Sequence, residues 1–216
     1  MQTNGPAGGM IQFIEIDPAH PDILYAAGIG GGVFKTTDDG DTWTMPAQFV
    51  SHSTVILGLL ISPDDPQTVY AVAGSMFKST DGGESWRVLD EGLGFRCLAV
   101  DRDRPLVLVG GTWDGHVYQS ANSGENWTDI SGNLPGDAIS AVAIGARNEF
   151  WVGTVNSVQG RLYHTTNGGA SWTAMEIGQR AETNIQTVFV DPDDPRSLTP
   201  PTRDAFMWAH FRPVST

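Results

Sequence analysis

The sequence predicts an all-β fold in which four-stranded sheets repeat around a common axis as the blades of a propeller. An eight-residue pattern occurs four times, beginning at residues 36, 79, 120 and 165, so that successive copies start 43, 41 and 45 residues apart. This spacing is the size of a four-stranded propeller blade. The 26 glycines, the seven tryptophans and the short apolar runs also suit a chain of strands and turns. We therefore expect four complete blades and a fifth partial blade, forming a small five-bladed ring.

The repeated octapeptide, called the clasp below, has a physical reason for each of its fixed positions. A hydroxyl residue comes first and Asp or Asn third, and such side chains hydrogen-bond to the backbone of tight turns. Gly at the fifth position permits a positive φ, and the closing Trp buries a large apolar surface between sheets. The predicted structural residues are Asp38, Gly40, Trp43, Asp81, Gly83, Trp86, Asn122, Gly124, Trp127, Asn167, Gly169 and Trp172.

Each repeat begins with an apolar strand that ends in a turn rich in Asp and Pro. Period-two alternation predicts two columns of core residues on these first strands. The columns are Ile14, Leu59, Leu98, Val142 and Val188, then Ile16, Ile61, Val100, Ile144 and Val190. The clustered carboxylates of the following turns allow a metal site, although Asp and Pro at fixed offsets favour turns.

The fifth repeat begins normally but then departs from the pattern. Pro200 and Pro201 remove backbone donors where a central strand needs them. We expect a flexible N-terminus at 1–9, propeller blades at 10–195 and an irregular or truncated tail at 196–216. The tail could also pair with the first blade, and an open sheet edge would favour self-association.

Composition narrows the partners that the protein can have. Twelve Lys and Arg against 25 Asp and Glu give a net charge of −13, which disfavours nucleic acid and anionic membranes. Cys97 is the single cysteine, so an internal disulfide is impossible, and a buried apolar role is expected. No apolar run is long enough to span a bilayer, and the first nine residues contain no secretion signal. These features predict a soluble protein and leave its compartment open.

The clasps resemble the Asp-box, or BNR repeat, of sialidases. Clasps 1 and 2 match the family pattern Ser/Thr-x-Asp-x-Gly-x-Thr/Ser-Trp fully, whereas clasps 3 and 4 have Asn in the Asp position. Clasp 3 also has Asn126 in place of the second hydroxyl residue, so we expect these two turns to be held differently. The resemblance covers about residues 10–178 and implies a propeller. Xyloglucanase-type glycosidases, sortilin-type receptors and photosystem assembly factors also carry these boxes, so it does not fix a reaction.

The resemblance implies that ligands bind on the face formed by the loops between second and third strands and the loops between blades. Asp38 and Asp81 would lie on the opposite side, in structural turns. Near the start of the first strands, Gln12, Leu57, Arg96, Ser140 and Gln186 form a column that could line the upper channel.

The ligand-binding candidates on this face are Arg96, Trp113, Gln12, Gln186 and Arg180. Arg96 could hold a carboxylate or a polar substituent, or it could pair with Asp90, Glu91 or Asp137. Trp113 could stack on a sugar ring or an acyl chain, or it could pack between blades.

Carboxylates on the same face are the candidates for chemistry. Asp114, Asp137 and Glu182 could act as general acid and base or hold calcium, and solvated loop carboxylates are the alternative. The sequence does not satisfy the sialidase signature of three arginines and a Tyr–Glu pair. It also contains no serine-elbow motif, no phosphate-binding loop and no spacing typical of zinc ligands. The metal ligands therefore remain unknown.

Three functions remain open at this point. The first is hydrolysis of a glycosidic, lactone or ester bond in a small molecule or sugar by carboxylates, with or without calcium. The second is a non-catalytic module that binds a ligand or a protein, and the third is a scaffold fragment of a larger protein.

Overall fold

The computed structural model describes residues 2–3, 10–30, 32–45, 55–89, 92–155 and 160–175, together with residues 185, 187, 188 and 190. These residues form seventeen β-strands, and no helix occurs among them. The strands are β1 (Gln2–Thr3), β2 (Met10–Ile16), β3 (Leu24–Ile29), β4 (Gly32–Thr36), β5 (Trp43–Thr44), β6 (Gly58–Ile61), β7 (Val69–Ala73), β8 (Ser75–Ser79), β9 (Arg87–Val88), β10 (Phe95–Val100), β11 (Leu108–Thr112), β12 (Val117–Ser120), β13 (Thr128–Asp129), β14 (Ala138–Ile144), β15 (Phe150–Val155), β16 (Leu162–Thr165) and β17 (Thr173–Met175).

The strands form four antiparallel sheets, each built from four consecutive strands. Blade 1 contains β2 to β5, blade 2 contains β6 to β9, blade 3 contains β10 to β13, and blade 4 contains β14 to β17. Each blade has its strands in sequence order, as the predicted propeller requires, so the all-β propeller fold is confirmed. Blade 1 has an additional edge strand, β1, in which Thr3 pairs with Trp43. The repeat pattern did not predict this strand, because it lies outside the repeats.

Aspartate side chains hold the turn between the first and second strands of blades 1 and 3. The Oδ1 atom of Asp17 accepts hydrogen bonds from the backbone N–H groups of Ala19 and His20, at 2.8 and 3.1 Å. Asp101 makes the same pair of bonds in blade 3, with the N–H groups of Asp103 and Arg104. Both aspartates therefore act as side-chain acceptors that hold a turn.

Apolar clusters fill the spaces between neighbouring blades. Tyr25, Ala27 and Val33 of blade 1 pack with Leu59 and Val69 of blade 2. Clusters of the same kind join blade 2 to blade 3 and blade 3 to blade 4. Each blade therefore covers an apolar face of the next one, and this burial is the main source of stability.

The predicted core columns are confirmed in blade 2 and, for Val142, in blade 4, and they are wrong in blade 1. The remaining column residues are partly buried, namely Leu98, Val100, Ile144, Val188 and Val190. Leu59, Ile61 and Val142 are buried, whereas Ile14 and Ile16 are 42% and 43% exposed. The two isoleucines lie opposite Ala26 and Leu24 on the face of blade 1 that points away from blade 2, and no described blade covers that face.

All four clasps form the same turn between the third and fourth strands. The first hydroxyl accepts a hydrogen bond from the N–H of the fifth residue, Gly, at 2.8 to 3.1 Å. The third side chain accepts a bond from the N–H of the seventh residue, also at 2.8 to 3.0 Å. The fifth residue has φ between 88° and 92° in every copy, which explains why it is Gly.

Clasps 3 and 4 differ from the other two in the bonds that the side chains make with one another. In clasp 2, the hydroxyl of Ser85 donates to Asp81. In clasp 4, the direction is reversed, because the amide of Asn167 donates to the hydroxyl of Ser171 at 2.8 Å. No hydroxyl is present at Asn126 of clasp 3.

The antiparallel order places the clasps and the Asp-containing turns at one end of the blades. The loops between second and third strands, and the connections between blades, lie at the other end. Within the described residues, there is no helix that could span a membrane.

Candidate functional site

Three first strands contain a β-bulge near their start, at the end of the blades opposite the clasps. The register shifts between Ile11 and Phe13 in blade 1, and at the equivalent places in blades 3 and 4. The additional residues at these bulges are Gln12, Arg96 and Ser140, which belong to the predicted channel column. A bulge redirects a side chain out of the regular alternation. The sequence predicted the column, but it gave no sign of the bulges, because period-two patterns do not reveal them.

The members of this column have different surroundings. Gln12 is exposed, whereas Leu57 is partly buried against Val72, Met76 and Phe95.

Ser140, in contrast, contacts backbone carbonyl groups through its hydroxyl. Its hydroxyl donates to the carbonyl of Gly153 at 3.1 Å and also contacts the carbonyl of Ile185. Ser140 therefore joins blade 4 to the segment that follows it. Gln186, Arg180 and Glu182 lie outside the described residues, so they remain predictions.

Arg96 and Trp113 are in direct contact and form the centre of the candidate site. The guanidinium carbon of Arg96 lies 4.3 Å from the centre of the Trp113 ring, which is a cation–π contact. Trp113 is 52% exposed, and its backbone N–H donates to the carbonyl of Gly94 at 3.1 Å. We call this pair the Arg96–Trp113 platform. Desolvation lowers the pKa of Arg96, yet an arginine remains charged at all ordinary pH values.

Asp114 and Asp137 lie on two loops that touch each other. A Cβ atom added to Gly115 would come within 2.3 Å of the carbonyl carbon of Gly136, so the two backbones are in contact. Asp114 precedes Gly115 directly, and Asp137 follows Gly136 directly. The structure therefore brings two of the three predicted carboxylates to adjoining loops, next to the platform.

Asp114 is also held by a residue that the sequence analysis did not select. The hydroxyl of Thr112 contacts Oδ1 of Asp114 at 2.5 Å, and the same hydroxyl accepts a bond from the N–H of His116 at 2.9 Å. The spacing of Thr112 and Asp114 repeats the hydroxyl-x-acid spacing of the clasps, which was the signal available in the sequence.

The charges of the two carboxylates act on tyrosines of their own blades. Burial raises the pKa of Tyr118, and the charges of Asp129 and Asp114 raise it further. Burial also raises the pKa of Tyr163, where Arg161 acts in the opposite direction and Asp137 in the same direction. Asp137 therefore lies near enough to Tyr163 of blade 4 for its charge to act on that side chain.

Asp38 and Asp81 are in different surroundings, at the clasp end. Hydrogen bonds from the side chain and backbone of Ser85, and then from Ser79, lower the pKa of Asp81 to about 2. A carboxylate this acidic stays ionised at neutral pH and accepts hydrogen bonds to hold its turn. Within the described ranges, no three His, Cys, Asp or Glu side chains are close enough together to hold a metal ion.

The chain is similar to xyloglucanases and to several solved propellers. It is 29% identical to the oligoxyloglucan-reducing end-specific xyloglucanase of Emericella nidulans, over 89% of this chain and 27% of that protein. The solved GH74 enzyme of Niastella koreensis has a TM-score of 0.71 and 22% identity, over 84% of this chain and 33% of that chain. The structure of YCF48 bound to D1 peptide has a TM-score of 0.60 and 20% identity, over 81% and 57% of the two chains.

These matches establish the propeller fold of this chain. They do not establish its activity or its ligand. The chain spans about a quarter of the length of the Emericella nidulans relative (27%). No protein-family model matches the sequence.

Proposed function

We propose that this chain is a glycan-binding and glycoside-hydrolysing propeller module of the Asp-box type, with its site at the Arg96–Trp113 platform. The observation that carries the proposal is the contact between Gly115 and Gly136, which puts two carboxylate-bearing loops beside a half-exposed Trp. The similarity to xyloglucanases makes a xyloglucan-derived oligosaccharide the first substrate to test.

Each part of the site has a role in this proposal. Trp113 presents one ring face to the Arg96 guanidinium, and its other face would stack on the apolar side of a sugar ring. Arg96 would donate hydrogen bonds to polar ring substituents. Hydrolysis needs one carboxylic acid to protonate the leaving oxygen and one carboxylate to activate water or attack the sugar carbon. Asp114 and Asp137 would share these two roles.

Calcium has no assigned role in this proposal. The described residues that approach the platform bring one carboxylate from each of two loops, and calcium is normally held by six to eight oxygen ligands.

Binding can be tested separately from catalysis. Titration calorimetry with xyloglucan oligosaccharides should show that Trp113→Ala weakens the affinity by roughly tenfold or more, because a stacking surface is lost. Trp127→Phe is the matched control, since Trp127 packs against Phe95 inside the interface of blades 2 and 3. Equal affinities of the native chain and Trp113→Ala would contradict the binding site.

Catalysis is tested by the release of reducing ends from the same oligosaccharides. Asp114→Asn and Asp137→Asn should each lower the rate by about 10² to 10⁴, which is the usual contribution of a general acid or base. Asp103→Asn is the control, because Asp103 lies at the clasp end of blade 3. Turnover that survives both substitutions would reject these two residues as the catalytic pair.

Peptide binding is the second candidate, and the environment of Arg96 favours it. Among the described residues, the guanidinium of Arg96 contacts the Trp113 ring and no carboxylate, so it can hold the carboxylate of a peptide. Peptides with a free C-terminus would then bind more tightly than their amidated forms, and the preference would be lost in Arg96→Gln. Tight peptide binding without any glycan binding would favour this function over the first.

A further inference from the structure

The hairpin that carries Trp113 also carries a histidine at its base. The backbone N–H of Thr112 donates to the carbonyl of His116 at 3.0 Å, so Trp113 lies in the hairpin loop and His116 directly precedes β12. His116 is three positions after Trp113 in the sequence. Three residues of chain span at most about 11 Å. His116 therefore lies close to the Arg96–Trp113 platform.

His116 and Asp129 form a pair at the outer edge of blade 3. Nδ1 of His116 lies 2.9 Å from Oδ2 of Asp129, and the two side chains are 45% and 46% exposed. The backbone N–H of Ser131 donates to Oδ1 of Asp129 at 2.8 Å. Burial acts to raise the pKa of Asp129, but the hydrogen bonds from Ser131 and His116 lower it below its ordinary value. Asp129 is therefore an ionised carboxylate that keeps a proton on Nδ1.

The tautomer that Asp129 favours leaves the other ring nitrogen of His116 as an acceptor. A neutral imidazole has one donor nitrogen and one acceptor nitrogen, so a proton on Nδ1 makes Nε2 the acceptor. Among the residues that the structure describes, none bonds to Nε2. Because the side chain of His116 is nearly half exposed, this acceptor is open to a ligand from solvent.

Tyr118 adds a hydrogen-bond donor beside this acceptor. It lies directly opposite Asp129 on the neighbouring strand, and its ring stacks on the imidazole of His116 with the ring centres 5.9 Å apart. Burial and nearby carboxylates raise the pKa of Tyr118, so its hydroxyl keeps the proton at neutral pH. The ring also packs edge-on against Phe95, the residue before Arg96, with the centres 5.9 Å apart. His116, Tyr118 and Asp129 therefore form one polar surface that adjoins the platform.

The other three blades lack this combination at the equivalent positions. The position four residues before a clasp, which His116 occupies in blade 3, holds Gly32, Ser75 and Arg161 in blades 1, 2 and 4. The position two residues after a clasp tryptophan, which Asp129 occupies in blade 3, holds Met45, Val88 and Ala174. Exposed ion pairs contribute at most about 1 kcal/mol to stability. The pair is therefore specific to the blade that carries Trp113, and stability gives little reason for it.

We propose that His116, Tyr118 and Asp129 form a second glycan subsite, which binds the hydroxyl groups of a sugar residue next to the one stacked on Trp113. This subsite depends on the proposed function, because the platform has to bind the first sugar residue. Hydroxyl groups of the second residue donate to Nε2 of His116 and to Asp129, and one of them accepts from the Tyr118 hydroxyl. The charge of Asp129 disfavours a carboxylated sugar, so the ligand is a neutral oligosaccharide of two or more residues.

The test compares glycans of different length by titration calorimetry on the full chain. The probes are methyl β-glucoside, which fills one subsite, and β-1,4-linked glucose oligosaccharides of two, four and six residues. In the native chain the affinity should rise with length, because the longer probes reach both subsites. His116→Ala should lower the affinity for the hexasaccharide by about tenfold, since hydrogen bonds to one sugar residue are lost, and leave methyl β-glucoside unchanged.

Three further variants accompany His116→Ala. Tyr118→Phe removes only the hydroxyl and keeps the ring that packs against Phe95, so it should lower the affinity for the hexasaccharide by about threefold and preserve the fold. His20→Ala is the matched control, because Nδ1 of His20 lies 3.3 Å from Oδ2 of Asp17 at the clasp end of blade 1. It should leave every affinity unchanged. Trp113→Ala should weaken the binding of all the probes.

The outcomes separate the second subsite from the platform. Equal affinities of the native chain and His116→Ala for the hexasaccharide would overturn the second subsite and leave the platform intact. An equal loss for methyl β-glucoside and for the hexasaccharide would also overturn it, since His116 would then act on the first sugar residue. Failure of the native chain to bind any probe would reject the platform and the second subsite together.

Discussion

Asp81 shows how much of a turn one carboxylate can organise. Its two oxygens accept bonds from the backbone and the hydroxyl of Ser85 and from the hydroxyl of Ser79. These donors favour the ionised form and lower the pKa to about 2, from an ordinary value of 3.8. Because the folded chain holds the charged carboxylate more favourably than the unfolded chain does, this stability is fully present above pH 4 and is lost as the pH falls towards 2.

Asp81→Ala should therefore destabilise the protein at neutral pH and have less effect in acid. The expected loss is about 1 kcal/mol at pH 7, since the charged hydrogen bonds are exposed to solvent and partly screened. Urea unfolding at pH 7 and pH 3 measures the difference. Glu84→Gln removes a charge from the same clasp, where the nearest cation is Lys35 at 3.9 Å, and should change little. A loss for Asp81→Ala that is the same at both pH values would contradict the assignment of its pKa.

At the scale of the element, the blades are joined by apolar packing and by a few specific hydrogen bonds. Tyr25 and Tyr70 occupy equivalent positions, and the hydroxyl of Tyr25 donates to the carbonyl of Gly82. The buried hydroxyl of Tyr70 makes no hydrogen bond of good geometry, although the nearby Ser123 side chain acts to lower the pKa that burial raises. An unpaired buried hydroxyl costs free energy, whereas a paired one contributes modestly.

This difference predicts effects of different size for the same substitution in two blades. Tyr25→Phe should lower the free energy of unfolding by about 1 kcal/mol, because the Gly82 carbonyl loses a donor. Tyr70→Phe should cost less than this, since it removes a buried hydroxyl that makes no hydrogen bond of good geometry. Chemical unfolding of the two variants side by side measures both effects. Equal losses would show that the hydroxyl of Tyr70 is also satisfied, for instance by water.

The contact between the loops of blades 3 and 4 gives a second prediction at this scale. Gly115 and Gly136 have φ of 87° and 86°. Because L residues are strained at this φ, Ala at either position should lower the stability by a similar amount, about 1 kcal/mol. Only Gly115→Ala adds a steric conflict, because nothing lies within 4 Å of a Cβ on Gly136. Gly115→Ala should therefore cost more stability and separate Asp114 from Asp137.

The same pair of variants probes the proposed site. If hydrolysis depends on both carboxylates, Gly115→Ala should lose turnover of xyloglucan oligosaccharides, whereas Gly136→Ala should keep most of it. The comparison is made at a temperature at which circular dichroism shows both variants folded. Full activity in Gly115→Ala would separate the loop contact from the reaction.

At the scale of the whole molecule, the first strands bring charges from different blades together. Burial raises the pKa of Glu15 to about 7, and the charge of Arg102 partly opposes this rise. Glu15 belongs to the first strand of blade 1, and Arg102 follows the first strand of blade 3. Their interaction reflects a shared axis, since the two residues are far apart in the sequence and in separate sheets.

Glu15 predicts a pH dependence opposite to that of Asp81. The folded chain binds the Glu15 proton more tightly than the unfolded chain does, so its contribution is complete below pH 4.5 and is lost as the pH rises through 7. Glu15→Gln should remove this loss and raise the stability at pH 8 by an amount on the order of 2 kcal/mol. Urea unfolding of both proteins at pH 5 and pH 8 measures it. A larger gain at pH 5 than at pH 8 would contradict the raised pKa.

The sequence alone determined the four blades, because each repeat contains the residues that hold its own turn. The clasps are held by bonds between residues two to four positions apart, and such bonds form wherever the eight residues occur together. Arg96, Trp113, Asp114 and Asp137 could be selected for the same reason, since they stand in the parts of each repeat that vary.

Only the tertiary structure decided which of these residues meet. Arg96, which stacks on Trp113, stands at a bulge in β10, and the loops that carry Asp114 and Asp137 touch through Gly115 and Gly136. The exposure of Ile14 depends on what stands beside the first blade. A repeat pattern describes one blade at a time, whereas these features arise from the distances between blades.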